Sequence, residues 1–311
     1  MEFRQLQYVI QIAAEKNFSR AAEKLHIAQP SLSQQLSKLE KEIGVLLFRR
    51  STNSVELTHA GAAFVEQAQK IIDAAEQLKL AMADISNMRK GKLVVGSLPI
   101  TGSHILPLVL PVFARKYPNI EIALVEDTTN NLEALTSAGK TDLSLLTLPL
   151  LEQSLTYQTL IQEEICLAVP HSHPLAEIAN RLPVDVSSLK DEPFIVLKRG
   201  QGFRQITLDL CEEAGFSPRV VFESSNIETV QSLVAAGMGV GFVPHMMTRS
   251  QSGDFIPAYL RLASRNGSAP SRTLVIASRK GRYLSKAAEA FIATLMDVMK
   301  EYETDRLGGN P

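Results

Sequence analysis

Residues 59–89 constrain this chain more than any other stretch. The segment holds no proline and, after Gly61, no glycine, and it is rich in Ala, Glu, Gln, Lys and Ile. Gly61, Ala68, Ala75 and Met82 share one position of a seven-residue repeat, and Phe64, Ile71, Leu78 and Ile85 share another. Two such lines make a narrow apolar seam of the kind that pairs long helices. A solitary surface helix buries a broader stripe. The segment is therefore either a dimerising helix or a long helix packed within its own chain. Both readings divide the 311 residues into a short N-terminal part and a much longer C-terminal one, in keeping with two or three compact units.

The N-terminal part reads as helices. Phe3, Leu6, Val9, Ile10 and Ala13 lie at helical spacing within residues 3–16. Asn17-Phe18-Ser19 interrupts the pattern, and Ser19 is the expected N-cap of a short second helix. Pro30 then sits where a first helical turn tolerates it, because its missing N–H would have been unpaired there. Gly44 ends that third helix. Two helices joined by a tight turn form a helix-turn-helix. Leu46-Leu47-Phe48 and Val55-Glu56-Leu57 are strand-like pieces flanking Arg49-Arg50-Ser51-Thr52-Asn53-Ser54, which reads as a wing.

On the third helix Leu32, Leu36, Leu39 and Ile43 share one face, opposite Pro30, Gln34, Ser37, Lys38 and Lys41. Gln29, Ser31 and Ser33 stand in the first turn, where a recognition helix meets base edges. Gln pairs its hydrogen bonds with adenine, Ser donates or accepts, and Lys suits phosphates. Arg49 and Arg50 would add sequence-independent phosphate attraction. Any amphipathic helix also has a solvated polar face, and periodicity does not separate the two readings. Charge says little more. The net formal charge is −1, with eight Lys/Arg against six Asp/Glu in residues 1–58.

From Lys92 onward the chain alternates strands and helices. Lys92–Gly96, Ile120–Val125 and Asp142–Leu148 read as strands with helices between them. The rhythm resumes with strands at Phe194–Leu197, Val220–Glu223 and Val240–Val243, and helices over 203–214 and 226–236. Arg272–Ser278 is a last strand and 284–302 a last amphipathic helix, followed by a frayed end from Thr304 to Pro311. Such βαβ order implies a parallel sheet covered by helices.

The ordered string of residues carries more than its periodicity. FRQLQYVIQIAAEKNFSRAAEKLHIAQPSLSQQLSKLEKEIGVLLFRRSTNSVELTHAG resembles the N-terminal signature of the LysR-type transcriptional regulators almost from end to end. GKLVVGSLP, VFARKYPNI, LAVPHSHPLA and VAAGMGVGFVP resemble landmarks of the same family, so the likeness covers essentially the whole chain. It implies an α/β protein overall. A winged helix-turn-helix over 1–58 would be followed by a linker and dimerisation helix over 59–89. A two-lobed, periplasmic-binding-protein-like effector domain would occupy 90–303, with one lobe about 90–161 and 268–303 and the other about 162–267. Residues 304–311 would be a flexible tail. Gln29, Pro30, Ser31, Ser33 and Gln34 would lie in or beside the major groove. The implied partners are double-stranded operator DNA, a small co-inducer, further copies of the chain as dimer and tetramer, and RNA polymerase. Many family members carry Arg where Gln34 stands and a more basic wing than Ser54-Val55-Glu56, which implies weaker phosphate attraction and a different base preference.

In parallel α/β sheets ligands collect where strands end and helices begin. Four such junctions are visible: 97–103, 127–129, 199–203 and 224–226. They offer hydroxyl and amide side chains, and the free N–H groups of helix starts favour an anion such as a carboxylate. Ser, Thr and Asn also cap helices everywhere, so each junction has a plain structural explanation as well. The family resemblance singles out Ser97, Thr101, Gln201 and Phe203 as effector-binding residues, with Thr128 and Thr147 behind them. Arg204 would supply a positive charge if it pointed inward.

Other signals carry less. Gly237-Met238-Gly239-Val240-Gly241 precedes a strand instead of following one, unlike a dinucleotide loop. Gly139-Lys140-Thr141 lacks the upstream glycine of a phosphate loop. His171 and His173 stand two apart in a loop and are expected to face solvent. Cys166 and Cys211 have no His or Cys at ligand spacing and read as apolar core in a reducing compartment. No metal, cofactor or catalytic cluster is expected. The N-terminus has no export signal and no stretch is long enough to span a bilayer, so a cytoplasmic location is expected. A solute-binding protein, or an α/β enzyme with a helical appendage, would share the C-terminal architecture but leaves residues 1–90 without a purpose.

Overall fold

The computed structural model describes residues 1–50, 55–85, 91–178, 182–249, 255–263 and 269–308. It contains two compact units, Met1–Asn87 and Met88–Pro311. The long helix thus belongs with the first unit.

That unit opens with α1 (Phe3–Glu15), α2 (Phe18–Lys24) and α3 (Gln29–Ile43). Their apolar faces meet in one core of Val9, Ile12, Ala21, Ala22, Leu32, Leu36, Leu39, Leu47 and Phe48. α2 is capped by Asn17 and not by Ser19. The Asn17 Oδ1 accepts the Ser19 and Arg20 N–H groups at 2.9 and 3.0 Å. An Asx cap reaches forward two or three residues, so the earlier polar residue wins. Gly44 closes α3 in the left-handed region (φ 76°), which glycine adopts without steric cost. β1 (Phe48–Arg50) pairs antiparallel with β2 (Val55–Leu57). The first wing strand begins two residues later than expected, because Leu47 is drawn into the core.

α4 (His59–Ile85) follows; residues 86–90 lie outside the described ones. Its first half packs within the chain, where Ala68 and Ile72 meet Leu6, Ile10 and Phe64. Further along, Ile71, Leu78 and Met82 are 46, 61 and 52% exposed, an apolar line left open among the described residues. The seam is therefore divided between the two readings its spacing allowed.

The second unit contains β3 (Gly91–Ser97), α5 (Pro99–Lys116), β4 (Ile120–Glu126), α6 (Thr129–Ser137) and β5 (Leu143–Thr147). β6 (Leu155–Val169), β7 (Val184–Asp185), β8 (Pro193–Leu197), α7 (Gly202–Glu213), β9 (Arg219–Ser224), α8 (Ile227–Ala235) and β10 (Gly241–Pro244) come next. β11 (Ala258–Ala263), β12 (Ser271–Arg279) and α9 (Lys286–Gly308) complete it. The sheet runs β4-β3-β5-β12-β6-β11-β7, with β10 also on β6. β6 is the strand the periodicity did not reveal. Its first part pairs with β12 and its last part with β10 and β11, so one strand serves both lobes. β8 and β9 form a parallel pair, joined to the Val240 segment by a bridge at Phe194. α9 continues to Gly308, so the chain is helical where a frayed end was expected from Thr304; 309–311 lie outside the described residues. His173 is also not a solvent-facing loop residue. Its side chain is 15% exposed and stands 3.3 Å from Glu192.

Candidate nucleic-acid interface and ligand cleft

The apolar residues of α3 fall three and four apart, so burying Leu32, Leu36 and Leu39 turns the intervening residues outward. Gln29, Pro30, Ser31, Gln34 and Lys38 are exposed together on that outer side, and Ser33 is half-buried. Ala28 supplies no side-chain cap, so the first-turn N–H groups of α3 point out beside Gln29 and Ser31. Such a helix start attracts an anion. Arg49 is exposed on β1. The backbone of Arg50 belongs to the same strand, while its side chain and residues 51–54 lie outside the described residues.

The second unit holds a cleft of about 240 Å³ between its lobes. Leu98, Pro99, Ile100, Ser103, Thr147 and Arg272 line one side, and Leu197, Gln201, Gly202, Phe203, Ser225, Asn226, Ile227 and Glu228 line the other. The starts of α5, α7 and α8 all open on it. Of the six residues singled out in the sequence, the structure brings Thr147, Gln201 and Phe203 to this cleft. Ser97 and Thr101 are fully buried and do not line it, because Ser97 ends β3 in the interior and Thr101 lies on the buried face of α5. Thr128 is the N-cap residue of α6 and is not in the wall either; its neighbour Thr129 approaches the cleft instead. The Thr129 Oγ1 accepts the Gly202 N–H at 3.0 Å, a hydrogen bond from one lobe to the other.

Most polar side chains around the cleft are already engaged. Ser103 Oγ donates to the Pro99 carbonyl at 2.8 Å. Asn226 Oδ1 accepts the Glu228 N–H at 2.7 Å, and Gln201 Nε2 donates to the Ser225 carbonyl at 3.2 Å. These are the capping and loop roles that Ser, Asn and Gln take in any protein. Thr147 differs. It is 4% exposed, its Oγ1 has no hydrogen-bond partner, and it stands in the cleft wall. A buried hydroxyl left in that state costs roughly 1–3 kcal/mol, which an occupant of the cleft would recover.

The positive charge at the cleft is Arg272, not Arg204. Arg204 Nη1 donates to the Leu197 carbonyl at 2.6 Å and to Glu223 Oε1 at 2.7 Å, tying α7 to the β8–β9 pair. Arg272 projects from β12, and its side chain is 1% exposed. Its Nε and Nη2 donate to Glu163 Oε2 at 2.8 and 2.7 Å, and its guanidinium lies 5.5 Å from the Phe203 ring centre. Glu163 Oε1 in turn accepts the Met246 N–H at 2.5 Å. The available sequence signal for this pair was the Arg that opens Arg272–Ser278 ahead of the apolar run Leu274–Ala277; Glu163 gave none, because β6 itself was not legible. His104, one residue beyond Ser103, is held below the usual imidazole range. Desolvation by burial dominates; Glu228 and Glu163 oppose it and Arg272 adds to it.

Both cysteines are buried and neither is in a disulfide. Burial pushes the Cys211 thiol up to about 12. Among the described residues no group of three His, Cys, Asp or Glu is placed to hold a metal ion, and no helix is long and apolar enough to cross a membrane.

Comparison with known proteins places these two sites in context. Residues 3–62 match the bacterial regulatory helix-turn-helix protein, lysR family, and residues 86–300 match the LysR substrate binding domain. The HTH-type transcriptional regulator YcgK of Bacillus subtilis is 40% identical over 325 aligned positions, covering 100% of this chain and 98% of that protein. A hydrogen peroxide-inducible genes activator of Pectobacterium carotovorum is 31% identical, covering 97% of this chain and 98% of the relative. Among solved structures, a full-length OxyR of Pseudomonas aeruginosa with a cysteine-to-aspartate change superposes with a TM-score of 0.73. It is 30% identical and the match covers 96% of this chain and 95% of that one.

Proposed function

The chain belongs to the lysR family of DNA-binding transcriptional regulators, and from that premise we propose that it is switched by a small anionic metabolite held in the cleft between α5, α7 and α8. The observation that carries this reading is the Thr147 hydroxyl, buried and unpartnered in a wall where three helix starts meet. Helix starts supply N–H donors and partial positive charge, Thr147 supplies a hydroxyl, and Leu98, Ile100, Phe203 and Ile227 supply an apolar wall. That set suits a carboxylate on a small apolar body. Arg272 is already neutralised by Glu163, so it orients more than it attracts.

On the DNA side, Gln29, Pro30, Ser31, Ser33, Gln34 and Lys38 would meet the major groove and its edge, and Arg49 and Arg50 the flanking phosphates. The exposed line Ile71, Leu78 and Met82 supports pairing through α4 with a second copy. A ligand that binds one lobe arrangement better than the other would bias the assembly between DNA-bound shapes, and activation is the output this reading favours.

The reading parts from the names of the peroxide-inducible relatives. A thiol that reads peroxide must be accessible and largely thiolate near neutral pH. Cys166 and Cys211 are 3 and 0% exposed, and the Cys211 thiol is shifted the opposite way. A bound metabolite is the signal these residues can accommodate.

The test is a thermal-shift screen of the full chain against small carboxylates and amino acids. A ligand at one hundred times its Kd adds about 2.7 kcal/mol to the folded state. The expected result is a hit whose shift shrinks in Thr147→Val. A hit unaffected by Thr147→Val, or no hit across the panel, would remove the cleft assignment and leave the DNA-binding function standing.

A further inference from the structure

We propose that Glu40 is a positioning residue for DNA binding: its buried carboxylate fastens the first wing strand to the recognition helix and so aims Arg49 at the phosphate backbone. The inference rests on the wing–phosphate reading above.

Glu40 lies on the inward face of α3 beside Leu32, Leu36 and Leu39 and is 9% exposed. An apolar residue would pack there at lower cost, since a carboxylate must be desolvated. The reason for an acceptor at this place is visible one loop later. Glu40 Oε1 accepts the backbone N–H of Leu47 at 2.8 Å and of Phe48 at 3.3 Å. Leu47 enters β1 and Phe48 is its first residue, and both side chains are buried. The next residue, Arg49, is exposed.

A two-stranded ribbon is marginal by itself, so β1–β2 depends on what holds its ends. Its base is held in part by Thr58, whose Oγ1 donates to the Leu46 carbonyl at 2.7 Å and accepts the Gly61 N–H at 2.9 Å. Gly61 permits that closeness, because a Cβ there would fall on the Leu47 carbonyl oxygen. Leu47 and Phe48 also pack in one core with Leu32, Leu36 and Leu39 of α3, and Glu40 adds to that non-directional packing a hydrogen bond from the helix that carries Gln29 to Lys38 to the backbone of the strand. Glu40 thus makes recognition helix and wing one rigid piece. Without the acceptor, the strand bearing Arg49 must be ordered on DNA instead of arriving ordered, and its phosphate contact is weakened.

Two conservative variants separate this role from bulk and charge. Glu40→Gln keeps an oxygen at the same reach without the charge, and Glu40→Asp keeps the charge but withdraws the oxygen. Each is compared with Arg49→Ala by titrating the full chain onto random-sequence duplex DNA at a series of salt concentrations. The slope of log Kobs against log salt counts phosphates at about 0.9 each, and a purely structural role would change stability while leaving that slope alone. Expected are a slope reduced by about 1 per DNA-bound protomer in Arg49→Ala, a similar reduction in Glu40→Asp, the original slope in Glu40→Gln, and no further loss in Glu40→Asp/Arg49→Ala. An unchanged slope in Glu40→Asp with a reduced one in Arg49→Ala would overturn the role of Glu40 alone. A slope lost in Glu40→Gln would show that charge and not acceptance matters, and overturns it as well. An unchanged slope in Arg49→Ala would overturn the wing reading, and this inference with it.

Discussion

Replacing Arg272 by methionine should be among the most damaging single changes in residues 88–311. Arg272 and Glu163 are 1 and 4% exposed at the side chain, and the guanidinium reaches Oε2 through two nitrogens at 2.7 and 2.8 Å. Removing the cation leaves a carboxylate buried with the Met246 N–H as its remaining partner among the hydrogen bonds described above. Breaking a buried pair from one side typically costs about 3–5 kcal/mol. Replacing both partners by apolar residues of similar size is often close to neutral. Here it would still orphan the Met246 N–H, so Arg272→Met/Glu163→Met should cost about 1–3 kcal/mol. With a urea m-value of about 2.5 kcal/mol/M, the single change lowers the midpoint by roughly 1–2 M and the double change by less. Five of the six tyrosines lie in residues 88–311, so tyrosine fluorescence follows this unit in the full chain. A single variant that shifts the midpoint by less than about 0.3 M, or a double variant less stable than the single, would refute the reasoning.

Leu78→Glu should dissociate the α4 pair in sedimentation experiments; by two-fold symmetry two leucines leave the seam, at about 1.5–3 kcal/mol each, or roughly 10²- to 10⁴-fold in the dimer constant. An unaltered dimer would place the interface elsewhere. His104 titrates below the usual range because burial disfavours its charged form, so the unfolded chain binds more protons below about pH 6.5. Its stabilising contribution is complete above that pH and is lost as pH falls toward its folded value; His104→Asn should flatten stability between about pH 7 and 5, and an unchanged profile would assign the dependence to other groups. Neither Cys166 nor Cys211 should react with a thiol reagent at pH 8 until the chain is unfolded, given their burial and the Cys211 thiol at about 12. Rapid labelling of the native protein, with loss of DNA binding after peroxide, would reopen thiol sensing.

The local chain determined much of this protein. The spacing of Leu32, Leu36 and Leu39 specifies which side of α3 is buried, and thereby which polar residues face out. Gly44 stops that helix for a reason confined to its own φ angle. The heptad lines of residues 59–85 imply a long helix with an apolar seam before any partner is known. Tertiary structure decided the cleft. Arg272 and Glu163 are 109 residues apart and meet because β12 and β6 pair in the register that sets them opposite each other. Periodicity carries no information about such a register, nor about whether Arg204, close to a helix start, points inward; Glu223 and the Leu197 carbonyl occupy it. The same holds for Ser97 at a strand end and Thr101 at a helix start, which have suitable chemistry but do not line the cleft. Side-chain type follows from the sequence, whereas which hydroxyl remains unpartnered depends on every neighbour that folding brings beside it. Among the described residues Thr101 and Thr147 both keep a buried hydroxyl that no neighbour engages, and of the two it is Thr147, at the end of β5 against β12, that lines the cleft.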